Sequence, residues 1–281
     1  IENAHTNITY VSVDGNVISE TINEIKEAES STYPMTFDSI YEFAKTGDIS
    51  GVLPSIKQQV EYNTAISNEG LSNDYGANIG RLLLLDDETP SLETKCKARA
   101  AAGSDARMSG CPLPVVICSG SGNQGLTVSM PIITTAEGLG KTDEELHRAL
   151  VFANLLTLYV KSGIGKLSAY CGVVSAGIVS VAGIAFLKGD SKSIIEDTLV
   201  NGLVSLSGIV CDGAKPSCAG KIAISLDGAF MGYKQARLNK SYQKGDGLVA
   251  HSVDDTIKSI GVVAQGMKET DVVILNEMLK H

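Results

Sequence analysis

The chain has 281 residues, 43% of them hydrophobic, so it can bury a sizeable core without disulfide support and is unlike a disordered protein. The formal net charge of −9, with no dense cluster of lysine and arginine, disfavours nucleic acid and anionic membrane surfaces as partners. The 29 glycines, the absence of tryptophan and the 5% aromatic content indicate a core of small aliphatic residues, as in closely packed helices.

The N-terminal part is predicted to contain a β-hairpin. Two β-branched runs, 8–13 and 16–19, flank Asp14-Gly15, and Asp-Gly between such runs is a strong hairpin signal. The first residues are polar and mixed and contain no secretory signal, which favours a cytoplasmic location. Because the chain begins at Ile1 and its opening residues resemble a sheet entered midway, we expect an N-terminal segment to be missing.

The rest of the chain is predicted to be helical. Residues 142–145 form a capping box and residues 252–255 a similar helix start. We predict a mainly α protein (α+β), a helical domain with a small N-terminal β element: one domain over 1–281, with a hairpin-containing part at 1–47 and a helical part at 48–281. The predicted helices cover residues 36–45, 54–67, 77–85, 92–108, a segment ending near 138, 142–162, 168–187, 191–210, 217–238, 252–267 and 270–279.

The apolar run 169–187 contains no charged residue over 19 positions. It is rich in glycine, alanine and serine, and it has no aromatic belt at its end. These features favour a buried central helix over a membrane span.

Gly120, Gly122 and Gly125 spell G-x-G-x-x-G after an apolar run, as in a dinucleotide-binding loop. The context argues against a nucleotide, because no β-α-β alternation follows and the acidic residues at the right distance, 143–145, lie at a predicted helix start. A glycine loop that leads into a helix also presents backbone N–H groups to a small anion such as a carboxylate. A tight turn between packed helices is the structural alternative.

Three of the six cysteines have an informative spacing. Cys211 follows Cys171 by 40 residues, at the end of the next predicted helix, and Cys218 follows after 7 more, at the start of another. A structural zinc ion or a closed iron–sulfur cluster takes four ligands, whereas three thiols leave one iron of a [4Fe–4S] cluster open as a Lewis acid. On spacing alone, unrelated core cysteines remain the alternative.

Four motifs occur in order along the chain: HTNI (5–8), GSDARMSG (103–110), SGSGNQG (119–125) and CDGAKPSCA (211–219). Together they resemble the L-cysteine desulfidase family, which belongs with the iron–sulfur L-serine dehydratases through their α-chain domain. The cysteine spacing matches that of the desulfidases, since the serine dehydratases space their last two ligands slightly further apart. The family's Gly-Cys-Thr-Glu-Pro motif, whose cysteine is implicated in activity, is absent from this sequence, which agrees with a missing N-terminal segment.

The resemblance implies a [4Fe–4S]-dependent lyase that converts L-cysteine to pyruvate, ammonia and sulfide without pyridoxal phosphate and without a nucleotide. Cys171, Cys211 and Cys218 would then ligate the cluster, whose open iron binds and polarises the substrate. The substrate's polar groups would be held by the loop residues Ser119, Gly120, Ser121, Gly122, Asn123, Gln124 and Gly125.

The resemblance also implies roles for three further residues. Arg107 would pair with the substrate carboxylate, because a guanidinium fork fits a carboxylate. Asp105 would orient that arginine, with a surface ion pair or a helix cap as the alternative. His5 is a candidate acid/base or positioning group, although a lone histidine beside a strand is more often structural. His147, by contrast, is predicted to lie on a helix surface.

Two other functions remain open at this point. One is L-serine deamination by the same cluster chemistry, and the other is a non-catalytic protein that uses its thiols to hold zinc or to sense. The expected partner is a small amino-acid substrate, with neither nucleic acid nor membrane. The missing N-terminal segment as a separate piece and a homo-oligomer are also compatible with the sequence.

Overall fold

The computed structural model describes residues 8–20, 35–85, 87–165 and 168–280, which belong to two compact units, 1–35 and 36–281. The first unit holds an antiparallel hairpin of β1 (Tyr10–Val13) and β2 (Asn16–Glu20). Its turn residues Asp14 and Gly15 have φ of 51° and 82°, as a two-residue type I′ turn requires. The predicted hairpin is confirmed.

The second unit is made of helices. Eleven are present over the described residues, and with the hairpin they confirm the predicted mainly α fold. They are α1 (Phe37–Thr46), α2 (Leu53–Ser72), α3 (Ile79–Leu82), α4 (Leu92–Met108), α5 (Gly122–Leu139), α6 (Asp143–Ile164), α7 (Gly172–Lys188), α8 (Lys192–Leu206), α9 (Ser217–Arg237), α10 (Val253–Gly266) and α11 (Lys268–Met278).

Short polar side chains fix several helix starts. Thr142 accepts a hydrogen bond from the backbone N–H of Glu145 (3.3 Å), and Glu145 accepts one from the N–H of Thr142 (2.9 Å). This is the reciprocal capping box that the sequence predicts. Ser252 likewise accepts from the N–H of Asp255 at the start of α10. These caps satisfy N–H groups that have no partner within the helix.

The central helix is α7, which packs against α5, α6, α8 and α9. Every residue from 173 to 185 is buried, as predicted for the apolar run. Small residues allow the close approach: a Cβ added at Gly183 would lie 2.6 Å from Ile132 of α5, and one at Gly177 would lie 3.0 Å from Ser225 of α9. Among the described helices, none combines the length and hydropathy needed to cross a bilayer.

His147 of α6 is buried, although the sequence pattern places it on a helix surface. The prediction is wrong because the end of α1 and the segment after it lie across this part of α6. Arg148 holds that segment by donating hydrogen bonds to the carbonyl groups of Ala44 (3.1 Å) and Gly47 (3.2 Å). These partners are 104 and 101 positions apart along the chain, and local periodicity cannot reveal contacts at such a separation.

Candidate functional site

Cys171 and Cys211 are brought together by two short extended segments. The N–H of Cys171 donates to the carbonyl of Ile209 (3.1 Å), and the N–H of Cys211 donates to the carbonyl of Ala169 (2.7 Å). An antiparallel bridge lies between these two hydrogen bonds. We call this pairing of 169–171 with 209–211 the cysteine ladder. It fixes the two cysteines side by side, one at the start of α7 and the other beyond the end of α8.

The two thiols also interact with each other. The hydrogen bond from Cys171 lowers the pKa of Cys211 to about 6, with further help from the N–H of Gly213 and the charge of Lys221. The same bond, together with burial, raises the pKa of Cys171 well above its usual range. Cys211 is therefore predisposed to be a thiolate, the form in which cysteine ligates a metal.

Cys218 is connected to this pair through Gly213. Its thiol donates to the carbonyl of Gly213 (3.6 Å), while the N–H of the same residue faces the sulfur of Cys211. Gly213 has φ of 88°, in the left-handed region that favours glycine. One glycine thus contacts both thiols, and the short loop between α8 and α9 carries the second and third cysteines.

Two lysines interact electrostatically with Cys171 and Cys211. Lys161 of α6 is buried, and the charges of both cysteines raise its pKa against the larger lowering effect of burial. Lys221 of α9 lowers the pKa of both thiols and forms an ion pair with Asp212. The charge of Lys221 therefore adds to the lowering of the pKa of Cys211, whereas the pKa of Cys171 stays raised by its hydrogen bond and by burial.

Arg107, at the end of α4, lies beside Cys218, whose charge raises the pKa of the guanidinium against the stronger effect of burial. Its Nη1 donates to Oδ1 of Asn123 at 3.2 Å. A Cβ added at Gly122 would overlap its Nε, so the guanidinium lies against the first turn of α5 only because residue 122 is glycine. The structure thus brings Arg107 to the predicted glycine loop.

The glycine loop forms a tight turn that leads into α5. Cys118 and Ser121 exchange backbone hydrogen bonds of 3.2 and 3.1 Å, with φ of 49° at Ser119 and 82° at Gly120. Ser121 then caps α5 by accepting from the N–H of Gln124 (3.4 Å). The preceding residues 111–117 are described throughout and form no strand, so the loop lacks the context of a dinucleotide-binding fold.

Gln124 extends from the loop toward the cysteines. Its amide lies against Gly172 at the start of α7, where an added Cβ would be 2.5 Å from Nε2. The next residue, Gly125, allows α5 to touch the carbonyl of Val116, which any larger residue would overlap. Oε1 of Gln124 is buried, and no donor among the described residues reaches it. An unpartnered polar atom therefore lies in the interior beside the start of α7.

The donor set fits an iron–sulfur cluster. Over residues 8–20, 35–85, 87–165 and 168–280, no three His, Cys, Asp or Glu side chains converge closely enough to hold a single metal ion. A cubane cluster does not require one point of convergence, because each cysteine ligates a different iron. Three thiols, one of them predisposed to ionise, provide the type and number of ligands that leave one iron of such a cluster open.

Comparison with known proteins identifies the family. The sequence profile described as serine dehydratase alpha chain matches residues 14–276. The chain belongs to the serine dehydratase alpha chain family. Membership in this lyase-type family agrees with the resemblance carried by the four motifs, while the profile does not distinguish L-cysteine from L-serine as substrate.

Curated relatives of the chain include UPF0597 proteins. That of Desulfitobacterium hafniense is 47% identical over 100% of this chain and 66% of its own length. Those of Finegoldia magna and Lachnoclostridium phytofermentans are 45% and 46% identical, covering 100% and 98% of this chain and 67% and 66% of theirs. The chain therefore spans about two thirds of the length of these relatives. No solved structure matches it.

Asp105 caps a helix of this family member. Its Oδ2 accepts the N–H of Gly80 at 3.0 Å, near the start of α3, and the residue is only 1% exposed. Its Oδ1 is buried without a partner among the described residues, and within that part of the chain no hydrogen bond or ion pair joins it to Arg107. The cap that the sequence left as an alternative is the contact that Asp105 makes.

The burial of Asp105 predicts a pH-dependent stability. Burial raises its pKa from 3.8 to about 6. Because the folded protein holds this proton more tightly than the unfolded chain, the free energy of unfolding should fall as the pH rises from about 4 to about 6. Asp105→Asn keeps an acceptor for Gly80 and removes the charge.

We therefore expect Asp105→Asn to be more stable than wild type above about pH 6, by up to about 3 kcal/mol, and equal to it below about pH 4. Urea unfolding across this pH range measures the difference. Equal stabilities of the two proteins at about pH 8 would show that the buried carboxylate does not destabilise the fold.

His5, predicted as an acid/base or positioning group, lies outside the described residues. Lys161, which belongs to none of the four motifs, is buried in the structure, and the charges of two of the three predicted cluster ligands act on its amine. The only available signal was a lysine among apolar residues near the end of a helix that leads, within ten residues, to Cys171.

Proposed function

We propose that this chain is the cluster-binding part of a [4Fe–4S]-dependent, pyridoxal-phosphate-independent lyase that converts L-cysteine to pyruvate, ammonia and hydrogen sulfide. The observation that carries the proposal is the cysteine ladder, which holds Cys171 beside Cys211, with Cys218 linked to them through Gly213. Family membership supports the lyase class. The four motifs and the cysteine spacing support L-cysteine as the substrate.

In this proposal Cys171, Cys211 and Cys218 hold the cluster. When bound, the cluster supplies an open iron that acts as a Lewis acid. Loss of the Cα proton and of the sulfur on Cβ gives 2-aminoacrylate and hydrogen sulfide. The 2-aminoacrylate tautomerises to an imine, which water hydrolyses to pyruvate and ammonia.

Arg107 and the glycine loop orient the substrate. The guanidinium binds the substrate carboxylate through paired N–H donors, and Asn123 keeps it on the first turn of α5. The buried Oε1 of Gln124 accepts a hydrogen bond from the substrate ammonium beside Cys171. The two charged groups on the Cα of a small amino acid are thereby held, which reduces the entropy lost on reaching the reactive geometry.

L-serine is the second candidate substrate, favoured by the description of the matching family as serine dehydratase alpha chain. The same elimination would expel water in place of hydrogen sulfide. Because cysteine and serine differ only in the atom on Cβ, Arg107 and Gln124 would hold either one in the same way.

Anaerobic reconstitution with iron and sulfide tests the proposal. We expect a brown protein with about four irons per chain. Pyruvate is then assayed with L-cysteine and with L-serine, on this chain and on a chain extended to the full length of its relatives. We expect cysteine turnover by the extended chain and little by the 281-residue chain.

Each outcome of this experiment has a clear meaning. A colourless protein that retains zinc but no iron would overturn the cluster and with it the lyase. Faster pyruvate formation from serine would replace cysteine by serine as the substrate. Equal rates from the short and extended chains would show that the additional third of the relatives is not needed for turnover.

A further inference from the structure

Asn63 of α2 is completely buried, yet both polar groups of its side-chain amide are hydrogen-bonded. Oδ1 accepts from the N–H of Val116 (2.9 Å), and Nδ2 donates to the carbonyl of the same residue (3.4 Å) and to Oγ of Ser129 in α5 (2.9 Å). A buried amide is unfavourable unless such bonds are made, so these three contacts define the position of Asn63.

The two bonds to Val116 anchor the segment that leads into the glycine loop. Within the part of the chain that the structure describes, residues 112–117 form no other hydrogen bond. Pro112 and Pro114 have no N–H to donate. The backbone of this segment is therefore held to the neighbouring helices by hydrogen bonds from a single side chain, that of Asn63.

The third bond reaches the other side of the same loop. Oγ of Ser129, which accepts from Asn63, donates in turn to the carbonyl of Gly125 (2.8 Å) in the first turn of α5. That turn also touches Val116, because a Cβ added at residue 125 would lie 2.1 Å from the Val116 carbonyl oxygen. Asn63 thus connects the backbone before the turn at 118–121 with the backbone after it.

We propose that Asn63 is a positioning residue that fixes the glycine loop, through Val116 and Ser129, in the arrangement that binds the substrate. The inference rests on the proposed function, in which Asn123 and Gln124 orient Arg107 and the substrate. Asn63 acts through the backbone and needs no contact with the substrate. A displaced loop carries its side chains with it, and a misplacement of about 1 Å can lower the rate by about 100-fold.

Asn63→Leu keeps a similar side-chain volume and removes all three hydrogen bonds. In the enzyme extended to the full length of its relatives, we expect KM for the amino-acid substrate to rise by about 10-fold, with the iron content unchanged. The value of kcat should stay within about threefold, because the loop holds substrate and transition state alike. Steady-state kinetics and iron analysis measure these effects.

Amide hydrogen exchange tests the loop without turnover, in the 281-residue chain as well as in the extended one. The N–H of Val116 loses its acceptor in Asn63→Leu, and the bonds between Cys118 and Ser121 lose their support. We expect these amides to exchange about 10-fold faster than in wild type, the effect of one lost hydrogen bond.

The matched control is Asn201→Leu in α8. Asn201 is also completely buried and makes the same three kinds of hydrogen bond. It donates to the carbonyl of Gly232 (3.0 Å) and to Oγ of Ser241 (3.2 Å), and it accepts from the N–H of Tyr242 (3.1 Å). None of these partners belongs to the glycine loop. Both leucine variants should lower the urea midpoint of unfolding to a similar extent, while only Asn63→Leu raises KM and speeds exchange in the loop.

Ser129→Ala is a milder variant, which removes only the connection from Asn63 to Gly125. It should raise KM in the same direction, by about threefold. If Asn63→Leu does not fold, Ser129→Ala decides the question, since an unchanged KM and unchanged loop exchange in this variant would contradict the positioning role.

Unchanged KM and loop exchange in Asn63→Leu, or an equal rise of KM in both leucine variants, would overturn the inference and leave the proposed function intact. Faster exchange at an unchanged KM would show that the loop does not bind the substrate, which removes the role of Asn63 but not the cluster. An extended wild-type enzyme that converts neither L-cysteine nor L-serine would overturn the proposed lyase and this inference together.

Discussion

Cys211→Ser should reduce the iron content of the reconstituted protein from about four per chain to below about one, with loss of lyase activity in the extended enzyme. The hydrogen bond from Cys171 lowers the pKa of Cys211 to about 6, and the neighbouring Gly213 accepts a hydrogen bond from Cys218. A serine hydroxyl is a harder ligand and does not ionise near neutral pH, so it replaces neither the thiolate nor its bond to iron. Iron and sulfide analysis after reconstitution measures the effect.

The matched control is Cys96→Ser in α4. The Cys96 thiol is buried and donates to the carbonyl of Pro131 (3.3 Å), a bond that a hydroxyl can also make. This variant should retain its iron, which separates ligation from a general effect of removing a buried sulfur. A Cys211→Ser protein that still holds about four irons would contradict the assignment of Cys211 as a ligand.

Arg107→Gln should raise the KM of the extended enzyme for its amino-acid substrate by about 10- to 100-fold, with the iron content unchanged. A hydrogen bond to a charged group contributes about 1.5–3 kcal/mol, and glutamine offers neither the charge nor the paired geometry. Asn123→Ala, which removes the acceptor at 3.2 Å from Nη1, should raise KM in the same direction by a smaller factor.

The control for this pair is Arg99→Gln, also in α4. Arg99 pairs with Glu137 and donates to Thr134, on α5 but away from its first turn, so its loss should leave KM unchanged. If Arg107→Gln instead loses iron at constant KM, the guanidinium serves the cysteines and not the substrate carboxylate. Steady-state kinetics and iron analysis on the same preparations distinguish the two results.

The fold was largely predictable because its signals are local. Asp14-Gly15 specifies the turn of the hairpin, the Thr142 capping box starts α6, and an uncharged run rich in small residues predicts the buried α7. The local sequence pattern does not predict the burial of a side chain when a contact with a distant part of the chain covers it. His147 is covered by a segment held from a hundred positions away, and neither periodicity nor composition reports that contact.

The candidate site was predictable in its residue types but not in its connections. Spacing and motifs singled out Cys171, Cys211 and Cys218, yet the ladder that joins the first two is made by backbone groups, which every residue has. The burial of Lys161 and the cap formed by Asp105 depend on which helices meet. A lysine or an aspartate in a helical sequence most often lies on a solvated face, so these placements required the structure.

The cysteine ladder also constrains the number of residues between Cys171 and Cys211. From Cys171 the chain runs out along α7, over 17 residues, and returns along α8, over 15, before it pairs with its starting point. The 40 residues from Cys171 to Cys211 therefore form a helical hairpin, in which α7 and α8 must have similar lengths for the two cysteines to meet. Lengthening only one of these helices would move Cys211 away from Cys171. Adding one turn to each helix, about seven residues in all, would allow the backbone pairing beside the two cysteines to form again. In related sequences the cysteine interval should accordingly change in steps of paired helical turns and not one residue at a time.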